Sequence, residues 1–278
     1  MSDSLLKIAV CYDFDGTLAP GNMQEYDFMK KLGLAPKDFW QRARDLARQK
    51  DMDDVLAYMY LMIKESKMRD IPFTRTDFQN YGRNVRLFDG VETWFDRINA
   101  YGRQKGFDVE HYIISSGLLE MIEGTSIASA FRRIYASSFM YDANGAAEWP
   151  AMALNYTTKT QFLFRINKGC LDINDNAGIN AFQPAEARPL PFRRMIYVGD
   201  GATDIPCMRL VQASGGYSAA VYRPDDPVSR QTAQALIRDH RVNVTAPADY
   251  REGAVMDRFL KTVIDKLAAE AFLLNLQK

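Results

Sequence analysis

The sequence has 278 residues, enough for one large domain or for a core domain with a smaller companion. Hydrophobic residues make up 47% of it and charged residues 25%, an ordinary globular composition that excludes a disordered, collagen-like or fibrous chain. The 35 Lys and Arg residues balance the 35 Asp and Glu residues, so no net field attracts nucleic acid or an anionic membrane. We therefore expect neither as a partner, and the oligomeric state stays open.

The cysteines indicate a reducing environment. Cys11, Cys170 and Cys207 are odd in number and far apart, which excludes a disulfide framework and a CxxC metal knuckle. The N-terminal residues lack a basic segment followed by an apolar stretch, and no run of about 18 uncharged apolar residues follows. A cytoplasmic location is the expectation.

Short apolar runs alternate with helix-like stretches, which is typical of a parallel sheet covered by helices. Buried strands are predicted at residues 5–12, 109–114, 195–198 and 218–222. Residues 19–87 show helical patterns only. The predicted fold class is therefore α/β, a Rossmann-like parallel sheet flanked by helices (residues 1–18 and 88–278) with a small all-helical cap domain (residues 19–87).

Start and stop signals divide the cap into four predicted helices. They cover residues 22–32 before Gly33, residues 36–50 from Pro36, a third segment that Asp51 or Asp53 would cap, and a fourth that Thr74 or Thr76 would cap. The many cap aromatics are expected to form the insert's own core, and the alternative is that some line a pocket.

The rest of the chain offers fewer signals. A hairpin is predicted over 137–156 around the turn pair Asn144-Gly145, followed by a helix over 157–167 and a loop over 169–191. Residues 256–276 carry a helical apolar face, which we expect to pack on the sheet, with a dimer contact as the alternative.

Two acids directly follow the first predicted strand, in the run Asp13-Phe14-Asp15-Gly16-Thr17-Leu18. The carboxyl end of a strand is where open α/β sheets bind ligands. Two carboxylates this close stay ionised together only beside a positive charge, so a metal ion is implied. A calcium loop needs Gly at its sixth position and Glu at its twelfth, where this run has Leu18 and Gln24.

A second acidic run, Asp172-Ile173-Asn174-Asp175-Asn176-Ala177, fails the same test and is interpreted as a polar loop. The run Gly199-Asp200-Gly201-Ala202-Thr203-Asp204 follows the third predicted strand and would bring two more acids to the same sheet edge. For Asp204 alone, the competing interpretation is a helix cap.

Two weaker signals complete the set. Ser115-Ser116-Gly117 ends the second predicted strand, where a hydroxyl and backbone N–H groups before a short helix suit a phosphate oxygen. Lys159 begins a predicted helix, and a single helical lysine is usually solvated.

In order and spacing, these four pieces resemble the four signature motifs of the haloacid dehalogenase-like (HAD) hydrolase superfamily. Asp13 to Thr17 is similar to the first motif, Ser115 to the second, Lys159 to the third and Gly199 to Asp204 to the fourth. A helical insert after the first motif resembles the cap of phosphoserine-phosphatase-like members.

The resemblance implies a mechanism. Asp13 would be the nucleophile that forms an aspartyl-phosphate, and Asp15 the general acid and then base. Asp13 and Asp200, the backbone carbonyl of Asp15, and Asp204 directly or through water would bind Mg²⁺, which prefers carboxylate and phosphate oxygens. Ser115, Ser116, Gly117 and Lys159 would bind the phosphate.

Details within the family refine the expected chemistry. Members that hydrolyse phosphate esters carry an acid two residues after the nucleophile, and here it is Asp15. Phosphoserine phosphatases of this type carry Glu nine residues after the nucleophile, where this chain has Asn22. Other candidates to contact a small polar substrate are Glu25, Tyr26, Arg42, Arg44 and Arg48.

The resulting hypothesis is a Mg²⁺-dependent phosphatase that acts on a small phosphorylated metabolite. The alternatives are a phosphomutase or phosphotransferase of the same superfamily, and a binding module without catalysis. The sequence does not identify the substrate.

Overall fold

The computed structural model describes residues 5–276. Within them a seven-stranded sheet contains β1 (Leu6–Tyr12), β2 (Phe107–Leu118), β3 (Phe131–Tyr141), β4 (Ala147–Met152), β5 (Met195–Gly199), β6 (Tyr217–Tyr222) and β7 (Val244–Pro247). The strand order is β4-β3-β2-β1-β5-β6-β7, and every neighbouring pair is parallel except β3 and β4. The predicted Rossmann-like sheet is confirmed.

Helices cover both faces of this sheet. The described α-helices are α1 (Phe28–Lys31), α2 (Pro36–Lys50), α3 (Asp54–Met68), α4 (Arg75–Gly82), α5 (Val91–Gln104), α6 (Leu119–Glu123), α7 (Tyr156–Lys168), α8 (Asn176–Asn180), α9 (Ile205–Ala213), α10 (Pro227–Arg238) and α11 (Val255–Asn275). Ile8 and Val10 of β1 pack in the cluster that contains α5 and α11, whereas Ala9 and Cys11 pack in the cluster that contains α7 and α9. Because both faces are buried, the strand reads as a continuous apolar run.

Between residues 5 and 276, no helix is long and apolar enough to cross a membrane. All three cysteines lie in this range and none forms a disulfide.

The cap contains four α-helices, with one correction to the prediction. In place of a helix over 22–32, the chain forms a 3-10 turn at Met23–Glu25 and the single turn of α1. The two pieces are separated by Tyr26 and Asp27, and the backbone N–H of Met23 donates to Asp15 Oδ1 (3.0 Å), which ties the start of the segment to the loop after β1. Of the alternative N-cap residues predicted for the third and fourth helices, Asp53 caps α3 and Thr74 caps α4.

The two ends of the insert lie side by side, since Phe88 N–H donates to the Leu18 carbonyl (2.9 Å). The cap aromatics do not form a separate core: Phe78 of α4 stacks on Phe139 of β3 with ring centroids 5.5 Å apart. The division into a core of residues 1–18 and 88–278 and a cap of residues 19–87 stays a prediction, and the paired insert ends support it.

The predictions for the second half were incomplete. The hairpin around Gly145 is present as β3 and β4, but β3 begins at Phe131 because its first half pairs with β2. The strand β7 is only four residues long and had no apolar run to indicate it. The loop over 169–191 contains the short helix α8. Helix α11 packs through Met256, Leu260 and Ile264 as expected, and its last turns expose Phe272 and Leu273.

Candidate active site

The carboxyl ends of β1 and β5 form the centre of the site. Asp13 follows β1 directly, and its backbone N–H donates to the carbonyl of Val198 in β5 (2.9 Å). Its side chain is almost fully buried. The chain then turns at Gly16, which has a φ of +76° and lies against Asp200. The first motif and the fourth motif are therefore in direct contact.

Asp204 organises the loop after β5. Its Oδ1 accepts hydrogen bonds from Lys159 Nζ (2.7 Å) and Tyr197 OH (2.8 Å), and its Oδ2 accepts from the backbone N–H groups of Asp200 (3.2 Å) and Gly201 (3.3 Å). Asp204 does not act as the N-cap of α9, because its side chain makes no cap hydrogen bond to that helix, but its bond from the Gly201 N–H caps the 3-10 turn Ala202–Asp204. Sequence patterns gave no sign of Tyr197 as its partner, because this tyrosine looks like any other buried strand residue.

Lys159 is fully buried rather than solvated. Its Nζ lies 3.3 Å from Asp13 Oδ1 as well as against Asp204, so it bridges the two motifs. Burial alone would lower the pKa of this amine, but the charges of Asp13 and Asp204 outweigh it and raise the pKa above its usual value. The amine is therefore a permanent cation beneath the two carboxylates.

The cluster contains more negative than positive charge. One carboxylate oxygen from each of Asp13, Asp200 and Asp204 lies within 4.8 Å of the others. Burial, and then the charge of Asp204, raise the pKa of Asp13 to about 6, although Lys159 opposes the shift. Burial, then Asp204 and Asp13, raise the pKa of Asp200 well above its usual range.

These residues fit a hard divalent cation. The cluster offers only carboxylate oxygens, the donors that Mg²⁺ prefers. Asp13 Oδ1 is buried and accepts no hydrogen bond from the residues that the structure describes. Lys159 is the one cation that contacts this oxygen among the described residues, and it also pairs with Asp204, so a single positive charge faces three carboxylates and a bound metal ion would compensate the rest.

The second motif, residues 115–117, lies next to Asp15. The predicted turn after residue 114 is wrong, because β2 continues to Leu118 with a bulge between Ser115 and Leu118, and Gly117 N–H donates to Ser115 Oγ (3.0 Å) within this bulge. Ser116 Oγ is buried without a hydrogen-bond partner within residues 5–276. A Cβ added to Gly117 would lie 2.4 Å from Met23 Cε and 2.9 Å from Asp15 Oδ2, so glycine here leaves room for both side chains.

A cavity of about 320 Å³ opens above these motifs. Its floor includes Asp13, Asp15, Asp200 and the β2 bulge at residues 115–117, and its cap side is formed by Asn22, Gln24, Trp40 and Tyr58. Trp40 and Tyr58 thus follow the alternative prediction for the cap aromatics, that some of them line a pocket. Nothing in the pattern pointed to Gln24.

The other cap candidates lie elsewhere. Arg42 forms an ion pair with Glu65, and Arg44 donates to Gln41 on the exposed face of α2. Neither arginine lines the cavity, and Arg48 does not either. Glu25 contributes indirectly, because its Oε1 accepts from Asn22 Nδ2 and from Trp40 Nε1, both at 2.7 Å.

The acidic run that begins at Asp172 is a polar loop, as interpreted. Asp175 caps the short helix α8, and Arg165 donates to the backbone carbonyls of Asp172 and Ile173. It takes no part in the acidic cluster.

Comparison with known proteins places this site in a family. The model of the haloacid dehalogenase-like hydrolase family matches residues 10–209, a range that contains all four motifs. The chain belongs to the haloacid dehalogenase-like hydrolase family, and it is an enzyme of the hydrolase class.

Individual relatives are distant. An uncharacterized protein of Borreliella burgdorferi is 27% identical over 273 residues, covering 88% of this chain and 92% of that one. A phosphoserine phosphatase solved with its substrate has a TM-score of 0.56 at 12% identity, covering 90% of this chain and 97% of its own. A HAD family hydrolase of Salmonella enterica serovar Typhi has a TM-score of 0.52 at 18% identity, covering 82% of this chain, which spans 66% of that protein's length. At these identities the two structures show the shared fold.

Proposed function

We propose that this enzyme is a Mg²⁺-dependent phosphatase that hydrolyses a small phosphomonoester through an aspartyl-phosphate on Asp13. One observation carries the proposal: the buried Asp13 carboxylate, whose Oδ1 is paired with Lys159 Nζ at 3.3 Å but accepts no hydrogen bond from residues 5–276, lies at the floor of a cavity that also contains Asp15. Phosphoryl transfer from an alcohol oxygen needs a general acid, because the leaving alkoxide must receive a proton. Asp15, two residues after the nucleophile, is placed to supply it.

The first step is attack on phosphorus. A carboxylate oxygen of Asp13 forms a bond to phosphorus, and the bond from phosphorus to the leaving oxygen breaks. Asp15 in its protonated form gives its proton to that oxygen, so the product leaves as a neutral alcohol. Burial, and then the charge of Asp13, raise the pKa of Asp15 well above its usual range, which favours the protonated form needed here.

The second step releases phosphate. The Asp15 carboxylate takes a proton from water, whose oxygen bonds to phosphorus, and the bond from phosphorus to Asp13 breaks. Inorganic phosphate leaves and both carboxyl groups return to their starting states. Lys159 holds a positive charge beside Asp13 in both steps, which offsets the charge of the phosphoryl oxygens.

The remaining site residues position the reactants. Ser115, Ser116 and Gly117 would bind the phosphoryl oxygens, and the unpartnered Ser116 Oγ supports this role. Asp13 and Asp200 would hold Mg²⁺ by side chain, with the backbone carbonyl of Asp15. When bound, the cation neutralises the phosphate and polarises its oxygens. Both Asp204 oxygens already accept hydrogen bonds, so we propose that Asp204 acts through Lys159 and the Asp200 turn, or through water.

The substrate in this proposal is a small phosphorylated metabolite rather than a macromolecule, because the cavity volume is only about 320 Å³. The unpaired, buried thiols of Cys11 and Cys207 favour a reducing compartment, and we propose the cytoplasm as the place of action.

Replacement of the nucleophile tests the proposal. We expect Asp13→Asn to abolish Mg²⁺-dependent hydrolysis of p-nitrophenyl phosphate, because an amide cannot form the covalent intermediate, while the circular dichroism spectrum stays unchanged. Asp172→Asn is the matched control, since it alters an aspartate of the polar loop and should leave turnover intact. Undiminished turnover by Asp13→Asn would contradict the mechanism.

A further inference from the structure

The cap side of the cavity contains two aromatic side chains whose polar atoms already donate hydrogen bonds within the protein. Trp40 Nε1 donates to Glu25 Oε1 (2.7 Å), and Tyr58 OH donates to the Ser116 carbonyl (2.8 Å). The two ring centroids are 5.6 Å apart with the planes at 70°. Trp40 and Tyr58 therefore form an aromatic corner, which offers a ligand ring surface rather than hydrogen bonds.

Gln24 is the exception on this wall. Its side chain lines the cavity and is 2% exposed, and its Oε1 has no hydrogen-bond partner among residues 5–276. A buried amide oxygen without a partner costs about 1–3 kcal/mol, so such groups normally have one. An N–H donor of a bound ligand would satisfy this oxygen.

The charged residues around the cavity indicate which charges the alcohol part of the substrate can carry. Among the described residues that line it there is no arginine or lysine, so the wall has no cation to receive a carboxylate. Arg42 is paired with Glu65, and Arg223 lines the neighbouring cavity and is paired with Asp226.

The acids near the cavity favour a positive group instead. Glu25 adjoins Trp40, because its Oε1 accepts the hydrogen bond from Trp40 Nε1, and Asp13, Asp15 and Asp200 line the cavity floor. Aromatic faces attract ammonium groups, and they do so more strongly when the cation is shielded from water.

We propose that the substrate is the phosphate ester of a small primary amino alcohol without a carboxylate, whose ammonium group donates to Gln24 Oε1 and lies against the aromatic corner of Trp40 and Tyr58. This inference rests on the proposed phosphatase function. A primary rather than a quaternary ammonium is specified because only the former has an N–H for Gln24. Phosphoserine would be a poorer substrate than this ester, because it adds a carboxylate that no cation of the wall pairs.

Four esters test the inference, with Mg²⁺ present throughout. n-Propyl phosphate replaces the ammonium group of phosphoethanolamine by a methyl group, phosphoserine adds a carboxylate, and phosphocholine removes the N–H donors. We expect kcat/KM for phosphoethanolamine to exceed that for each of the other three by about tenfold, the value of one charged hydrogen bond.

Variants of the amide assign the effect to Gln24. We expect Gln24→Leu to remove most of the preference for phosphoethanolamine over n-propyl phosphate, whereas Gln24→Glu, which keeps an acceptor and adds a negative charge, should retain or increase it. Gln41→Leu changes a glutamine on the exposed face of α2 and should leave the preference as it is. Because Gln24→Glu can be measured even if Gln24→Leu does not fold, a loss of preference in Gln24→Glu overturns the inference.

The outcomes separate the two proposals. Absence of Mg²⁺-dependent turnover of p-nitrophenyl phosphate by the wild-type enzyme would overturn the phosphatase function itself. Turnover of that compound, with equal kcat/KM for phosphoethanolamine and n-propyl phosphate or with phosphoserine as the best ester, would overturn the inference and leave the phosphatase function standing.

Discussion

At the scale of single residues, small side chains let the motifs approach one another. A Cβ on Gly16 would lie 2.1 Å from Asp200 Oδ2, and Gly16 also has a φ of +76°, where side chains other than glycine are strained. Gly16 is therefore favoured for two reasons: the turn needs a positive φ, and Asp200 leaves no room for a side chain. Gly33 has a similar φ of +64°, but a Cβ there would meet no atom within 4 Å.

This pair of glycines gives a prediction. Gly33→Ala should lose about 1 kcal/mol of stability from backbone strain alone. Gly16→Ala should lose the same and also displace Asp200, so that kcat for p-nitrophenyl phosphate falls by about a hundredfold. Chemical denaturation and steady-state kinetics of both variants provide the comparison. Equal activity in the two variants would show that the contact with Asp200 does not matter.

At the scale of elements, a buried hydrogen-bond chain ties α5 to the two central strands. Trp94 Nε1 of α5 donates to Tyr12 OH of β1 (2.8 Å), and Tyr12 OH lies 3.0 Å from His111 Nδ1 of β2. His111 Nε2 lies 3.0 Å from Asn99 Oδ1, again in α5. Since the hydroxyl accepts from Trp94 it donates to His111, so the ring is neutral with its proton on Nε2. Burial lowers the pKa of His111 to about 3.

The neutral histidine makes stability depend on pH. Below its ordinary pKa of 6.5 the unfolded state binds a proton at His111 that the native state does not. Folding stability therefore falls as the pH decreases from 6.5 toward 3, by about 1.4 kcal/mol per pH unit from this group. We expect His111→Gln to be less stable at pH 7 but to lose less of its stability between pH 7 and pH 5, as measured by urea unfolding. Parallel pH profiles for the two proteins would contradict this assignment.

At the scale of the whole molecule, the fold collects acids that are far apart in sequence. Asp13 comes from the end of β1 and Asp200 from the end of β5, which are neighbours in the sheet. Lys159 reaches the same point from α7, on the face opposite α5 and α11. Lys159 supplies one positive charge for three carboxylates, so without a bound metal ion the remaining repulsion within this cluster opposes folding.

Metal binding should therefore stabilise the protein. A ligand that binds only the native state raises the free energy of unfolding by about 2.7 kcal/mol when its concentration is a hundred times its Kd. We therefore expect Mg²⁺ to raise the Tm and EDTA to reverse the rise. Asp200→Asn should raise the Tm in EDTA, because one of three mutually repelling carboxylates is removed, and should abolish the response to Mg²⁺. Differential scanning fluorimetry checks both expectations, and a Tm that does not respond to Mg²⁺ would contradict the proposed cation site.

How much the sequence predicts depends on how local each signal is. The strand that precedes Asp13, the helix caps at Asp53 and Thr74 and the turn at Gly145 follow from a few neighbouring residues, and the structure contains all of them. The prediction of one helix over 22–32 was wrong: the segment is divided at Tyr26 and Asp27, and the Tyr26 hydroxyl donates to the Pro20 carbonyl, a contact that a helical pattern does not indicate.

The sequence by itself determined the α/β fold and the positions of the four motifs, because buried strands and acids after strands are local patterns. Only the tertiary structure decided that Lys159 is buried beneath Asp13 and Asp204, and that the cap arginines lie away from the cavity while Gln24 lines it. From sequence alone, a lysine or glutamine in a helical segment is predicted to be solvent-exposed. Whether it is instead buried against a charge or a cavity depends on which other elements pack against it.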